Sequence, residues 1–83
     1  MKVITRKKRA FQDLHATGVL NSVVAVKGNN GWGVFGHWLD KDVAVFMEAA
    51  RGGIREWSDL DRLVEFLGDI GIYIVEVRNK KAV

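Results

Sequence analysis

The chain has 83 residues, with 13 Lys and Arg against 10 Asp and Glu, so its formal net charge is +3. This length allows one domain at most, and an apolar content of 48% places the chain in the globular class. It has no Cys, which excludes a disulfide framework and a thiolate metal site. No apolar run approaches the ~20 residues that a membrane span needs, and the opening lacks the apolar region of a signal peptide. These features predict a soluble cytoplasmic protein without a membrane partner.

The positive charge is concentrated at the two ends of the sequence. Residues 1–9 contain five basic residues and no acid, and residues 78–83 contain three more basic residues. All ten acids lie in residues 10–77, which carry a net charge of −5. We therefore predict a basic N-terminal arm (1–9), a single acidic domain (10–77) and a basic C-terminal tail (78–83). Two ends of the same sign indicate a polyanionic partner.

The first predicted element is a helix over residues 6–17. Thr5 can cap its start and Gly18 can end it in a left-handed conformation. Ala10, Phe11 and Leu14 form a short apolar stripe. The basic residues at the N-terminal end of this helix oppose its dipole, so local stability does not explain them. An external anion would explain them, and so would a frayed, solvated helix end.

Strands and turns follow this helix. Residues 22–27 are apolar and β-branched, and the turn at residues 28–31 has the Asn and Gly residues typical of a hairpin. Residues 32–39 and 43–49 alternate in the manner of strands that have one buried face. The alternation sets Trp32, Val34, Gly36 and Trp38 against Gly33, Phe35, His37 and Leu39, and sets Val43, Val45 and Met47 against Ala44, Phe46 and Glu48. A further turn precedes a short fourth strand at residues 54–57.

Ser58 opens the clearest predicted helix, because a Ser N-cap precedes acids in the first turn. The apolar face of this helix is formed by Leu60, Leu63, Val64 and Leu67, with Phe66 and Ile70 at its sides. Its outward residues are Asp61, Arg62, Glu65 and Asp69. Gly68 or Gly71 ends the helix, and residues 72–77 form a last strand.

The element order α-β-β-β-(β)-α-β predicts an α+β fold. We expect an antiparallel meander of four to five strands with both helices on one side. The other side of the sheet is then left to solvent, a second subunit or a ligand.

No pattern in the sequence indicates catalysis. His15 and His37 lie on different elements and lack metal-ligand spacing, so we predict neither a metal nor a cofactor. Ser22 and Ser58 have the settings of a strand start and a helix cap rather than of a nucleophile. The sequence favours a protein that is not an enzyme.

The aromatic residues of the second and third strands suggest a binding surface. Such residues stack the bases of single-stranded nucleic acids, but they also form cores and dimer interfaces. The acidity of residues 10–77 argues against a nucleic-acid groove across the sheet. We predict a homodimer interface formed by Trp32, Val34, Phe35, Trp38 and Phe46.

Phosphate contacts are expected from the two basic ends, with Arg51 and Arg55 at the edge of the turn before the short fourth strand as additions. The predicted nucleic-acid-binding residues are Arg6, Lys7, Lys8, Arg9, Arg51, Arg55, Arg78, Lys80 and Lys81. A dimer would bring sixteen terminal charges to one assembly. That number suffices for non-specific, salt-sensitive contact with DNA.

Several segments together resemble a known family. They are residues 16–22, 31–34, 50–61, 66–67, 70–72 and 75–77, which lie within residues 14–77. In these segments the chain resembles small accessory proteins of bacterial plasmids and integrative elements, labelled ParC-family partition-associated proteins. The resemblance implies a role in plasmid maintenance, with DNA or a partition or regulatory protein as partner. It implies no catalytic residues, and it does not include residues 1–9.

Two function hypotheses follow. The first is a non-enzymatic accessory or adaptor protein of a plasmid or mobile element that self-associates and contacts DNA, or a DNA-binding partner, through its basic ends. The alternative is a protein-binding module of the inhibitor or antirepressor type that binds no nucleic acid. The alternative would depend on the acids of the second helix, which are Asp59, Asp61, Glu65 and Asp69.

Overall fold

The computed structural model describes residues 1–79. Its elements are β1 (Lys2–Arg6), α1 (Lys8–Ala16), β2 (Leu20–Lys27), β3 (Trp32–Trp38), a 3₁₀ turn (Leu39–Lys41), β4 (Val43–Met47), α2 (Leu60–Asp69) and β5 (Glu76–Arg78). The strands form one sheet in the order β1-β4-β3-β2-β5. Strands β2, β3 and β4 are antiparallel neighbours, whereas β1 is parallel to β4 and β5 is parallel to β2. The predicted α+β fold is confirmed, but the sheet is mixed rather than a purely antiparallel meander.

The N-terminal residues form a strand of this sheet instead of an arm that precedes the domain. Each residue of β1 pairs in register with a residue of β4. The Lys2 N–H donates to the Asp42 carbonyl at 3.3 Å, and the Arg6 carbonyl accepts from the Glu48 N–H at 2.8 Å. Parallel pairing with β4, which is distant in the sequence, satisfies these backbone groups. Local sequence patterns do not indicate such pairing. The predicted helix over residues 6–17 therefore begins later, at Lys8.

Thr5 is not the helix cap that the sequence predicts. It lies in β1, and its Oγ1 donates to the Glu48 carboxylate at 2.9 Å. The N-cap of α1 is Lys7, which offers no side-chain cap hydrogen bond. The end of α1 follows the prediction, since Gly18 has φ +79° and turns the chain into β2.

The hydrophobic core lies on one face of the sheet. It is formed by Phe11, Leu20, Val23, Ala25, Trp32, Val34, Val43, Val45, Met47, Leu63, Leu67 and Ile72. Because Phe11 belongs to α1 and Leu63 belongs to α2, both helices cover this face. The predicted alternation in β4 is confirmed, since Val43, Val45 and Met47 are all buried here. We call this side of the sheet the helix-covered face.

The opposite side, which we call the open face, carries a second set of apolar residues. Val24, Phe35 and Phe46 lie next to one another on β2, β3 and β4, as the register of these strands shows. The ring centroids of Phe35 and Phe46 are 5.0 Å apart. Neither α1 nor α2 covers this side.

The start of α2 differs from its prediction by one residue. Asp59 is the N-cap, and its carboxylate accepts from the Arg62 N–H at 2.9 Å, whereas Ser58 precedes the cap. Leu63 and Leu67 are buried as predicted, but Val64 points outward and is 45% exposed. The helix ends at Asp69, and Gly71 makes the turn with φ +89°.

Two of the predicted strands are shorter than expected. Residues 54–57 make only isolated bridges, in which Ile54 pairs with Glu48 and Trp57 pairs with Trp32. Of residues 72–77, only 76 and 77 belong to the last strand, which continues to Arg78. Ile72 is buried in the core, so the chain is anchored there before it reaches the sheet.

Candidate nucleic-acid interface

A basic groove lies where α1 begins, beside the turn that follows β4. It has a volume of about 500 Å³. Its lining residues are Lys7, Lys8, Arg9, Gln12, Glu48, Ala50 and Arg55. The cations come from two segments that are far apart in the sequence, because β1 runs alongside β4 and the two strands end together. The fold thus gathers four basic side chains around one concave surface.

The single carboxylate that lines this groove is already engaged. Lys7 Nζ lies 3.0 Å from Glu48 Oε2, and the hydroxyl of Thr5 donates to Glu48 Oε1 at 2.9 Å. The hydrogen bond from Lys7, followed by the one from Thr5, lowers the pKa of the Glu48 carboxyl below its ordinary value of 4.5. Glu48 is therefore ionised at neutral pH and bound by its neighbours, so it leaves the remaining cations of the groove uncompensated.

Lys7 has a structural position within the groove. Besides its contact with Glu48, its ammonium group donates to the carbonyls of Ala49 and Ala50, each at 3.2 Å. These bonds fix the turn after β4 to the start of α1. Lys7 is thus one basic residue of the N-terminal segment that the protein's own groups hold in place.

Arg55 is positioned by aromatic rings. Its guanidinium lies 4.7 Å from the ring centroids of both Trp57 and Phe66, and these two rings are 5.2 Å apart. Lys8 Nζ lies 6.0 Å from the centroid of Phe66. Contact with ring faces orients a guanidinium while leaving its N–H edge free for an anion. Arg55 therefore presents a fixed cation to the groove.

Three cations of the groove have no carboxylate within salt-bridge distance among residues 1–79. They are Lys8, Arg9 and Arg55. Lys8 and Arg9 are exposed in the first turn of α1, and Arg55 is half-buried. The N-terminal end of a helix disfavours cations, so the fold itself does not explain why Lys8 and Arg9 are there.

Other predicted phosphate contacts lie elsewhere. Arg6 belongs to β1, its Nη1 donates to the Thr5 carbonyl at 2.7 Å, and its side chain lines a separate groove with Asp13 and Trp38. Arg51 is exposed in the turn that leads to Arg55. Arg78 lies on the opposite edge of the sheet.

Of the predicted C-terminal cations, the structure describes Arg78, which does not line the groove. Arg78 Nε lies 2.7 Å from Glu76 Oε2 on the same strand, so its charge is compensated locally. Lys80 and Lys81 fall outside the described residues. The structure thus separates Arg78 from the basic N-terminal segment.

The predicted dimer interface divides between the two faces of the sheet. Val34 is fully buried on the helix-covered face, and Trp32 is 8% exposed there. Trp38 packs against the same core. Only Phe35 and Phe46 lie on the open face. The five residues therefore do not form one surface, because alternate positions of a strand face opposite sides.

The sequence interpretation missed the role of Trp57 and Phe66. It assigned Trp57 to a strand and Phe66 to the side of the apolar stripe of α2. The spacing of Arg55 and Trp57, two positions apart in an extended segment, is a signal that both side chains lie on one side. No local signal brings Phe66 to the same place, because it arrives from α2.

In the described part of the chain no group of three or more His, Cys, Asp or Glu could hold a metal ion. His37 Nε2 lies 3.3 Å from Asp42 Oδ1, and His15 lies apart from this pair on α1. Across residues 1–79, no helix has the length and apolar character required to span a bilayer.

No family model matches the chain, and neither a curated protein nor a solved structure does. The resemblance to partition-associated accessory proteins therefore stays a prediction.

Proposed function

We propose that this protein is a non-enzymatic accessory protein that binds nucleic acid through the basic groove. The observation that carries the proposal is the convergence of residues 7–9 with Arg55 around a groove whose lining carboxylate is bound by Lys7. The setting implied by the family resemblance, a plasmid or mobile element, is part of the same proposal.

The ligand is expected to be recognised by its phosphates rather than by its bases. Lys8 and Arg9 are exposed cations, and the Arg55 guanidinium lies against the rings of Trp57 and Phe66. The rings of Trp57 and Phe66 each have the Arg55 guanidinium against one face, so stacking on bases is not expected to dominate. Contacts of this kind position a protein on the backbone and carry no sequence information. We expect non-specific binding.

The strength of binding follows from the number of cations. Three phosphate contacts, from Lys8, Arg9 and Arg55, predict a slope of about −3 for log K against log salt on duplex DNA. Binding is therefore expected at low salt and is lost steeply as salt is added. A single strand gives a smaller slope of about −2 for the same contacts.

The test is fluorescence anisotropy of a labelled duplex, and of a single strand of equal length, over a series of salt concentrations. The variant is Lys8→Ala with Arg9→Ala in the full chain. Its slope on duplex DNA should be smaller than that of the wild type by about 2, because two phosphate contacts are lost.

The matched control is Lys27→Ala with Lys41→Ala, which removes the same charge elsewhere. Lys27 lies over the ring of Trp32 at 5.4 Å and Lys41 lies over the ring of Trp38 at 5.1 Å. This control should leave the slope unchanged. If both double variants reduce the slope equally, or if the wild type binds neither nucleic acid at low salt, the basic groove is not the binding site.

The alternative hypothesis, a protein-binding module, uses the acids of α2. In the structure fewer of these acids are available to a partner, because the Asp59 carboxylate caps α2 and its Oδ2 lies 3.4 Å from Arg62 Nε. The acids Asp61, Glu65 and Asp69 remain exposed. Absence of nucleic-acid binding in the anisotropy series would favour this alternative.

A further inference from the structure

The strand β5 forms an edge of the sheet, with exposed apolar side chains in it and just before it. Among the described residues it has a neighbouring strand, β2, on one side only. Just before it, Tyr73 is 81% exposed and Ile74 is 89% exposed, and Val77 within it is 46% exposed. An edge strand with exposed apolar side chains is a template for pairing with another chain.

The opposite edge, β1, also exposes apolar side chains, since Met1 is 72% exposed and Val3 is 55% exposed. Its exposed charged residues, Lys2 and Arg6, are both cations, and like charges oppose the pairing of such an edge with a copy of itself. The β5 edge differs in carrying one charge of each sign, Glu76 and Arg78, so of the two edges it is the one complementary in charge to a second copy.

The register of β5 fixes the face on which each of its side chains lies. Glu76 is beside Val24, and Arg78 is beside Val26, so both lie on the open face. Val77 is beside Ala25, on the helix-covered face. Glu76 and Arg78 lie 2.7 Å apart with about half of each side chain exposed to solvent.

We propose that β5 pairs with β5 of a second copy of this chain, antiparallel, about a two-fold axis beside Val77. Residues directly opposite in an antiparallel pair share a face. Glu76 of each copy then lies opposite Arg78 of the other copy on the open face, and the two Val77 side chains meet on the other face. The segment Glu-Val-Arg is thus complementary to itself in this orientation.

The pairing accounts for two observations at once. It satisfies the outward backbone groups of β5, and it joins Glu76 and Arg78 to opposite charges of the second copy. The two sheets become one continuous sheet of ten strands around a closed two-fold interface. The interface does not use the basic groove, which lies at the other edge, so the proposal is independent of nucleic-acid binding.

The dimer is expected to be weak. One short strand pair with two flanking apolar side chains buries less than the ~1,200 Å² of a standard interface. Its dissociation constant should therefore be micromolar or higher, and monomer and dimer should exchange on dilution.

The experiment is sedimentation equilibrium of the full chain over a range of concentrations, with two charge reversals. Glu76→Arg alone places like charges opposite each other at both symmetric positions, and so does Arg78→Glu alone. Each variant should dimerise about tenfold more weakly than the wild type. An equimolar mixture of the two variants should associate as tightly as the wild type within about threefold, because every pair across the interface then joins opposite charges.

The controls make the same charge changes away from β5. Asp40→Arg changes the turn after β3, and Lys2→Glu changes the opposite edge of the sheet. Both controls should dimerise as the wild type does, and circular dichroism should confirm that all variants fold. The proposal is overturned by a wild type that is monomeric at every concentration, by a mixture no tighter than its components, or by controls that weaken the dimer equally.

Discussion

The two edges of the sheet differ although the sequence gives both ends of the chain the same charge. The β1 edge pairs over five residues with β4 and continues into Lys7, which binds Glu48 and two carbonyls of the next turn. The β5 edge pairs over three residues with β2, and its Arg78 pairs with Glu76 of the same strand. Charge in a sequence therefore does not show which segments are held by the fold.

This difference has a consequence for experiments on the basic N-terminal segment. Deletion of residues 1–9 would remove β1 and the first two residues of α1 together with the charges. Loss of binding by such a truncation would report a damaged sheet as readily as a lost phosphate contact. Side-chain substitutions that keep β1 intact are the informative variants.

The largest expected effect comes from Ile4→Pro in β1. Lys2 and Arg6 direct their backbone groups toward β4, so Ile4, two residues from each, does the same. Proline there removes a ladder hydrogen bond and the packing of Ile4 on the core, and should lower the free energy of unfolding by about 3 kcal/mol. Urea denaturation measures the change.

The control for this prediction is Val3→Pro. The N–H of Val3 points away from β4 by the same alternation, and its side chain is 55% exposed. Proline is tolerated at such edge positions, so the loss should stay below about 1 kcal/mol. Equal losses for both variants would show that β1 is not paired in this register.

A smaller effect is expected where the chain turns from α2 toward β5. Gly71 has φ +89°, and an alanine there should cost about 1 kcal/mol because a Cβ disfavours that conformation. Gly68 lies inside α2 with open space around it, so Gly68→Ala should stabilise the protein by about 0.5–1 kcal/mol. Thermal unfolding of the two variants should shift in opposite directions. Shifts of the same sign would contradict the predicted turn at Gly71.

A third prediction separates the two neighbouring lysines. Lys7→Ala removes the contact with Glu48 and the bonds to two carbonyls, and should cost about 0.5–1 kcal/mol of stability in addition to any loss of binding. Lys8 has no ion-pair partner among the described residues, so Lys8→Ala should weaken DNA binding and leave stability within about 0.5 kcal/mol. Denaturation and anisotropy on the same samples measure both quantities. A Lys8→Ala variant that loses as much stability as Lys7→Ala would remove the distinction.

Sequence patterns predicted those parts of the molecule whose structure is decided locally. Period-two alternation assigned Val43, Val45 and Met47 to one face of β4, and helical spacing assigned Leu63 and Leu67 to the buried face of α2. The element order from α1 to the last strand was also predicted. These features depend on neighbours along the chain.

The parts that the sequence did not predict depend on contacts between distant segments. The strand β1 forms by pairing with β4. Its short apolar alternation was not recognised in the sequence because the four consecutive basic residues 6–9 follow it directly. The groove forms where Arg55, from the segment after β4, and Phe66, from α2, come together beside the start of α1. The predicted dimer interface was wrong because its residues do not share one surface. Val34 and Trp32 belong to the core on the helix-covered face.

The smallest predicted effect concerns Glu48 and acid. Its pKa is lowered in the folded protein, first by the hydrogen bond from Lys7 and then by the one from Thr5. A carboxyl whose folded pKa is depressed contributes stability above its unfolded pKa, and this contribution is lost as the pH falls through the folded value. The loss should therefore occur below about pH 4.5, the ordinary value for this group.

Denaturation of Glu48→Gln across this range tests the assignment. The variant should be less stable than the wild type at neutral pH, and the difference should shrink as the pH falls, because protonation removes the same charge from the wild type. Thr5→Val keeps the carboxylate and the lysine, so it should show only part of the effect. A difference between wild type and Glu48→Gln that is constant from neutral pH to below pH 4.5 would mean that Glu48 does not join β1 to the turn after β4 through its charge.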